Sequence, residues 1–184
     1  MKQTNLSQYN NYWYQPGGSA MKRLVWYFVN VLFFKNGWNP LSGLKVRLLR
    51  LFGARVGVGV MIKPGVNIKY PWWLEIGDHC WIGEDVWIDC LTNVKLGKHV
   101  CLSQGAMLLT GNHNYKSSTF DLLVRSIVLE EGVWIGAKAI VGPGVIGRSH
   151  AILTVGSVAN REMEAYWIYQ GNPAIAVRER RMEK

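Results

Sequence analysis

The chain has 184 residues, 49% of them apolar and only 18% charged, so it is long enough for one cored domain and too apolar for a disordered segment. Its 20 Gly follow no Gly-X-Y period, which excludes a collagen-like rod and leaves tight turns as their use. A formal charge of +9 at pH 7 favours anionic partners without choosing among nucleic acid, anionic lipid and a phosphate-bearing cofactor.

Met1 to Pro16 is polar and aromatic and lacks the charged-then-apolar order of a signal peptide. Leu24 to Phe34 is strongly apolar, is broken by Asn30 and ends at Lys35, too short a run to span a bilayer. It reads first as a helix packed on the domain or on another subunit, and second as a surface for shallow membrane contact. Ser42 to Phe52 carries apolar residues at helical spacing with basic residues between them, and Gly53 is a suitable stop. Residues 1–55 are therefore expected to form an N-terminal helical cap over a repeat domain, 56–184. The basic clusters, Lys22-Arg23, Lys45 to Arg55 and Arg178 to Arg181, accompany no nucleic-acid motif, and no nucleic-acid partner is expected.

From Val56 the sequence repeats every six residues. Ile76-Gly77-Asp78-His79-Cys80-Trp81 is followed by Ile82-Gly83-Glu84-Asp85-Val86-Trp87 and Ile88-Asp89-Cys90-Leu91-Thr92-Asn93. After a two-residue slip the pattern continues from Leu96-Gly97 and Leu102-Ser103, then returns at Ile135-Gly136 and Val141-Gly142. The first position is aliphatic, the second usually Gly, and the fifth small or β-branched. An amphipathic helix needs apolar spacing near 3.6 and a hairpin sheet needs 2, so neither fits. A short strand that turns one aliphatic side chain inward, followed by a Gly-containing bend, does fit. Three such units make one triangular turn, and stacked turns give an all-β parallel coil. After Val145 the pattern comes one residue short, and Ile152 to Ser157 lacks Gly after its aliphatic residue. Cys80, Cys90 and Cys101 are odd in number, have no CxxC pair and sit within repeat units. They read as structural thiols in a reducing cytoplasm.

The repeat breaks at Thr110-Gly111-Asn112-His113-Asn114-Tyr115 and resumes near Val128-Leu129, which implies an inserted loop at about 112–127. Long excursions from a regular coil are usually functional. His79 and His99 fall at fourth positions, where exposed turns are expected, whereas His113 stands alone in a Gly- and Asn-rich break. Asn172-Pro173 ends the pattern, and Ala174 to Arg181 is read as a terminal strand or short helix.

The repeat, the Gly111-Asn112-His113 break, Val133-Trp134-Ile135-Gly136 and the closing Gly171-Asn172-Pro173-Ala174 together resemble the galactoside and maltose acetyltransferases. Gly-Asn-His-Asn-Tyr, then Thr119-Phe120-Asp121 and the tail Val177-Arg178-Glu179-Arg180, resemble the colanic-acid-type exopolysaccharide acetyltransferases more closely. The likeness runs from about Leu44 to Arg180. It implies a left-handed parallel β-helix assembled as a homotrimer, with acetyl-CoA as donor, no metal, and a sugar or oligosaccharide hydroxyl as acceptor. The work implied is exopolysaccharide biosynthesis in the cytoplasm, with peripheral contact at the inner face of the membrane as an option. His113 takes the place of the family's catalytic base. Asp85 falls where the galactoside enzymes carry an acceptor-binding Asn, and Asn112 is expected beside it. Ala137 matches a position whose backbone N–H faces the thioester, and Asn160, Arg161 and Arg178 fall where the family contacts CoA.

A histidine, with an ordinary pKa near 6.5, suits removal of a proton from a sugar hydroxyl during attack on a thioester. No Cys or Ser pairs with His113 in the sequence, so direct transfer is the expected route. Two readings compete. A zinc carbonic anhydrase on the same coil needs three histidines on one metal, and a non-catalytic scaffold at a membrane-associated assembly predicts no CoA affinity.

Overall fold

The computed structural model describes residues 3–183. The six-residue repeat winds into a parallel coil with three flat faces. The first face stacks Arg55–Val56, Leu74–Ile76, Val94–Leu96, Ile127–Leu129 and Ile146–Gly147. The second stacks Met61–Ile62, Trp81–Ile82, Cys101–Leu102, Trp134–Ile135, Ile152–Leu153 and Trp167–Gly171. The third stacks Asn67–Ile68, Trp87–Asp89, Met107–Leu109, Ile140–Val141 and Val158–Ala159. Like residues align from coil to coil, so Ile62, Ile82, Leu102, Ile135 and Leu153 form one buried ladder. The fifth-position side chains Cys80, Val86, Val100, Ala106, Ala139 and Val145 fill the corners and are also buried. Cys80 and Cys90 thus sit inside the coil, and Cys101 is half-buried on the second face.

The second-position glycines do a different job from the bend that the sequence implies. Left-handed backbone falls at the fourth position, where His79, Asp85, His99, Lys138 and His150 have φ of 58°, 57°, 56°, 54° and 62°. The second-position Gly is needed because neighbouring coils touch there. A Cβ on Gly77 would lie 2.6 Å from the carbonyl carbon of Gly97, and one on Gly136 would lie 2.6 Å from the amide nitrogen of Val155. The shortfall after Val145 also resolves. Ile135, Val141, Gly147, Leu153 and Ala159 are evenly spaced, with Gly147 standing in an aliphatic position. Met163 of the following turn fills the missing volume, its Cε 3.1 Å from where a Gly147 Cβ would be. Leu153, not Ile152, opens the next unit, which shifts Thr154 to Ser157 by one place.

An open coil end exposes unpaired backbone groups, and each costs free energy if it is buried unsatisfied. Two helices, α1 (Ala20–Val29) and α2 (Ser42–Leu51), cover the first coil. α1 continues as a wider π turn over Asn30–Phe34. Trp26 Nε1 donates to the Ile68 carbonyl at 2.9 Å, and Asn30 Oδ1 accepts from the Ile68 amide at 3.3 Å. Ser42 Oγ accepts from the Ile62 amide at 2.8 Å, and Lys45 Nζ donates to the Lys63 carbonyl at 2.8 Å. Burial lowers the pKa of the Lys45 amine. Trp26, Phe34 and Leu49 supply the apolar underside of the cap. At the other end, Trp167–Gly171 turns through a cis Asn172–Pro173 bond and pairs antiparallel with Ala174–Glu179, so the tail is a strand. Among the described residues, no helix is long and apolar enough to cross a membrane.

Candidate functional site

After Leu109 the chain leaves the coil as an antiparallel hairpin, Gly111–His113 against Leu122–Val124, and rejoins it at Ile127. The expected loop at about 112–127 is therefore an ordered ribbon. Its base is tied to the coil beneath, since Thr110 Oγ1 donates to the Asp89 carbonyl and accepts from the Leu91 amide. Near its tip, Asn114 N–H donates to the Asp121 carbonyl at 2.8 Å, and Thr119 Oγ1 donates to Asp121 Oδ1 at 2.6 Å. Hydrogen bonds from Thr119 and Ser117 lower the pKa of Asp121, so this carboxylate stays an acceptor.

His113 is held on two sides. Its Nδ1 lies 2.9 Å from the Phe120 carbonyl oxygen, an acceptor only, so in the neutral ring Nδ1 carries the proton and Nε2 the lone pair. The Phe120 ring stacks on the imidazole, centroids 4.4 Å apart and planes 7° from parallel. Phe120 holds this pose in left-handed backbone at φ 53°, an uncommon conformation for a bulky residue that marks a constrained site. Tyr9 also approaches the imidazole, with ring centroids 5.8 Å apart.

The cleft beside His113 has a volume of about 450 Å3, and residues from four parts of the chain line it. The hairpin gives Asn112 and His113, the third face gives Trp87 and Asp89, the link between coils gives Lys69 and Tyr70, and the N-terminal segment gives Tyr9, Asn11 and Tyr14. The N-terminal segment is fixed there by polar bonds. Asn5 N–H donates to the Ser118 carbonyl at 2.7 Å, and Trp72 and Trp73 donate from Nε1 to the Pro16 carbonyl at 2.8 and 3.0 Å. Tyr14 O–H donates to the Leu91 carbonyl at 2.8 Å. Burial first, then the neighbouring Tyr70, Asp89 and Cys90, push its pKa up and keep it a protonated donor.

Asp89 is the cleft's carboxylate. It is 9% exposed, and its Oδ1 has no hydrogen-bond partner although Lys69 Nζ is 3.4 Å away. The cleft thus brings a carboxylate and an imidazole, both able to accept hydrogen bonds from hydroxyls, to one lining.

The structure separates the other expected site residues. Asp85 does not join this cleft. It stands exposed at the turn between the second and third faces, its carboxylate over Gly65, because the fourth repeat position points away from the hairpin. Ala137 occupies the corresponding turn two coils on, and among the described residues its N–H takes no hydrogen-bond partner. Asn160 and Arg161 are exposed where the third face ends, and Arg178 lies on the return strand. Of these, Arg178 lines an open groove of about 1050 Å3 along the second face, with Trp134, Trp167, Arg180 and Arg181. Sequence reasoning missed Asp89, although it stands where the repeat places Gly. It also missed Tyr9, Tyr14, Lys69 and Tyr70, which lie outside the repeat and carry no periodic signal. Among the described residues, no three His, Cys, Asp or Glu side chains converge as a metal site. His79 and His99 stack in adjacent coils at 5.4 Å, while His113 stands on the hairpin.

No family model matches the chain. It is 37% identical over 166 residues to a protein of Escherichia coli strain K12 named as the colanic acid biosynthesis acetyltransferase WcaF, covering 89% of this chain and 90% of that one. The galactoside O-acetyltransferase of the same organism is 23% identical over 135 residues, 72% of this chain and 66% of that one. Among solved structures, a hexapeptide-repeat acetyltransferase of Vibrio cholerae complexed with acetyl-CoA superposes with a TM-score of 0.80 at 20% identity, covering 90% and 92% of the two chains. A galactoside acetyltransferase in complex with coenzyme A gives 0.77 at 22% identity, covering 88% and 82%. With its three-faced hexapeptide coil and histidine hairpin, the chain belongs to the hexapeptide-repeat acetyltransferases, in the group of the colanic acid biosynthesis acetyltransferases.

Proposed function

We propose that the chain transfers an acetyl group from acetyl-CoA to a sugar hydroxyl in exopolysaccharide biosynthesis, with His113 as general base. The observation that carries this reading is the Nδ1 contact of His113 with the Phe120 carbonyl, which leaves Nε2 free to accept a proton. The acceptor hydroxyl, held by Asp89 and Asn112, gives its proton to Nε2 as its oxygen attacks the thioester carbonyl. The Ala137 N–H stabilises the oxyanion, the C–S bond breaks, and the imidazolium returns the proton to the leaving thiolate. The products are a sugar acetate and CoA, and no covalent enzyme intermediate forms.

For the donor, the second-face groove offers aromatic walls and the cations Arg178, Arg180 and Arg181, suited to a pantetheine arm and phosphates. Asn160 and Arg161 are assigned to the same donor. Because Ala137 and His113 stand at different corners of one coil, we assign the complete site to the junction between subunits of a homotrimer. The exposed Met61, Trp81 and Trp134 on the second face favour that packing. We place the reaction in the cytoplasm, where Cys80, Cys90 and Cys101 stay reduced. The exposed Leu24, Phe28 and Leu32 of the α1 region are free for contact with the inner face of the membrane.

The test is acetyl-CoA binding by calorimetry on wild type and Arg178→Ala. Saturable binding, weakened about tenfold by the substitution, is the expected result for one lost charge-assisted bond. A folded wild type that binds no acetyl-CoA would remove the transferase reading and bring the scaffold forward.

A further inference from the structure

The His113 cleft does not end at Trp87. A second cavity, of about 380 Å3, opens between α1 with its π turn and the third face, and shares Lys69, Tyr70 and Trp87 with the first. The two cavities adjoin at these three residues and differ in character. One carries Asp89 and His113, which accept hydrogen bonds from hydroxyls. The other is lined by Arg23, Lys35 and Lys69 together with the Tyr27 and Trp87 rings, and among the described residues no carboxylate lines it.

The cations there are weakly committed. Lys35 is exposed and makes no side-chain hydrogen bond among the described residues. Arg23 spends one nitrogen on the Gly17 and Gly18 carbonyls, at 3.4 and 2.7 Å, and meets no acid. Lys69 faces Asp89 at 3.4 Å without satisfying it. Three cations lining one aromatic cavity repel one another, and a ligand phosphate relieves that repulsion while accepting their hydrogen bonds. Aromatic rings beside the junction offer a surface for a sugar ring.

We propose that the acceptor is a glycosyl phosphate or diphosphate, its sugar at His113 and Asp89 and its phosphate at Arg23, Lys35 and Lys69. This assignment rests on the transferase reading above. Nucleotide sugars and lipid-linked sugars share that chemistry, and the distinction falls to the experiment.

Inorganic pyrophosphate is titrated calorimetrically into the full-length protein, alone and saturated with CoA so that the donor site is filled. The expected result is one site per chain that persists with CoA and weakens at least tenfold in Lys69→Gln and in Lys35→Gln, the latter with an unchanged thermal melt. Tighter binding of UDP than of pyrophosphate identifies a nucleotide sugar. Tighter binding of a short alkyl diphosphate identifies a lipid carrier. In turnover, Lys35→Gln should raise KM for a hexose 1-phosphate at least tenfold while leaving KM for the free hexose within twofold. Pyrophosphate binding that CoA abolishes, or that ignores both lysine substitutions, overturns the site. Pyrophosphate binding as expected in a protein that binds no acetyl-CoA keeps the site and removes the transferase reading instead.

Discussion

The coil and the His113 cleft are built from the same chain by different means. In the coil, each side chain is placed by repetition. An aliphatic residue stacks on its counterpart above and below, and a missing Cβ at the second position lets backbones touch. In the cleft, most of the lining lies outside the repeat. Tyr14, Pro16, Thr110 and Phe120 are held one by one through hydrogen bonds between segments distant in sequence. Repetition gives stability that tolerates few changes of volume, and singular polar bonds give a surface whose chemistry can change while the coil stays folded. Substitutions in the first region should therefore act on stability, and those in the second on turnover.

The largest effect is expected where backbones of neighbouring coils touch. Gly97→Val puts a Cβ 2.7 Å from the Glu131 amide nitrogen and should cost about 3 kcal/mol or more, read as loss of soluble protein or a steep fall in Tm. Leu108→Ala, deep in the third-face ladder, should cost about 2–5 kcal/mol in denaturant melts with the transferase parameters of the surviving folded protein little changed. A stability cost at Leu108 under 1 kcal/mol would break the claim that the ladder holds the fold.

On the cleft side, Asp89→Asn replaces a carboxylate by an amide of the same shape. It should raise the acceptor KM roughly tenfold or more, the scale of one charged hydrogen bond, and leave the acetyl-CoA Kd unchanged. Phe120→Ala removes the ring stacked on His113 but keeps the carbonyl that holds Nδ1, and should lower kcat by about tenfold with a stability change near 1 kcal/mol. The smallest expected change is chemical. Burial raises the Cys80 thiol to about 11 and also raises Cys101, which stays half-exposed, while Cys90 is wholly enclosed. In native protein at pH 8 a bulky thiol reagent should therefore modify Cys101 alone, and modification of all three without denaturant would contradict the packing.

The coil was legible because its code is periodic. The strand positions, inward ladder and corner residues all follow from a six-residue count. Two parts of that code misled for physical reasons. Second-position Gly reads as a bend but answers to close stacking, and Gly147 hides an intact repeat because its volume is supplied by Met163 from another turn. The cap helices were also legible, since α2 carries its own 3.6-residue pattern. The cleft was only half legible. His113 stood out as a break in the pattern, and Asp89 left a trace as an acid in a Gly position. Tyr9 and Tyr14 belong to a stretch with no period, and only the fold reveals that it lies beside the hairpin.

The proposed chemistry turns on His113 removing the acceptor proton. The direct test measures acetyl transfer by wild type and His113→Ala, with acetyl-CoA binding followed in parallel. With His113 as the base, kcat should fall by about 10²–10⁴, the usual contribution of a general base, while the acetyl-CoA Kd stays within threefold. Turnover by His113→Ala within threefold of wild type would contradict it.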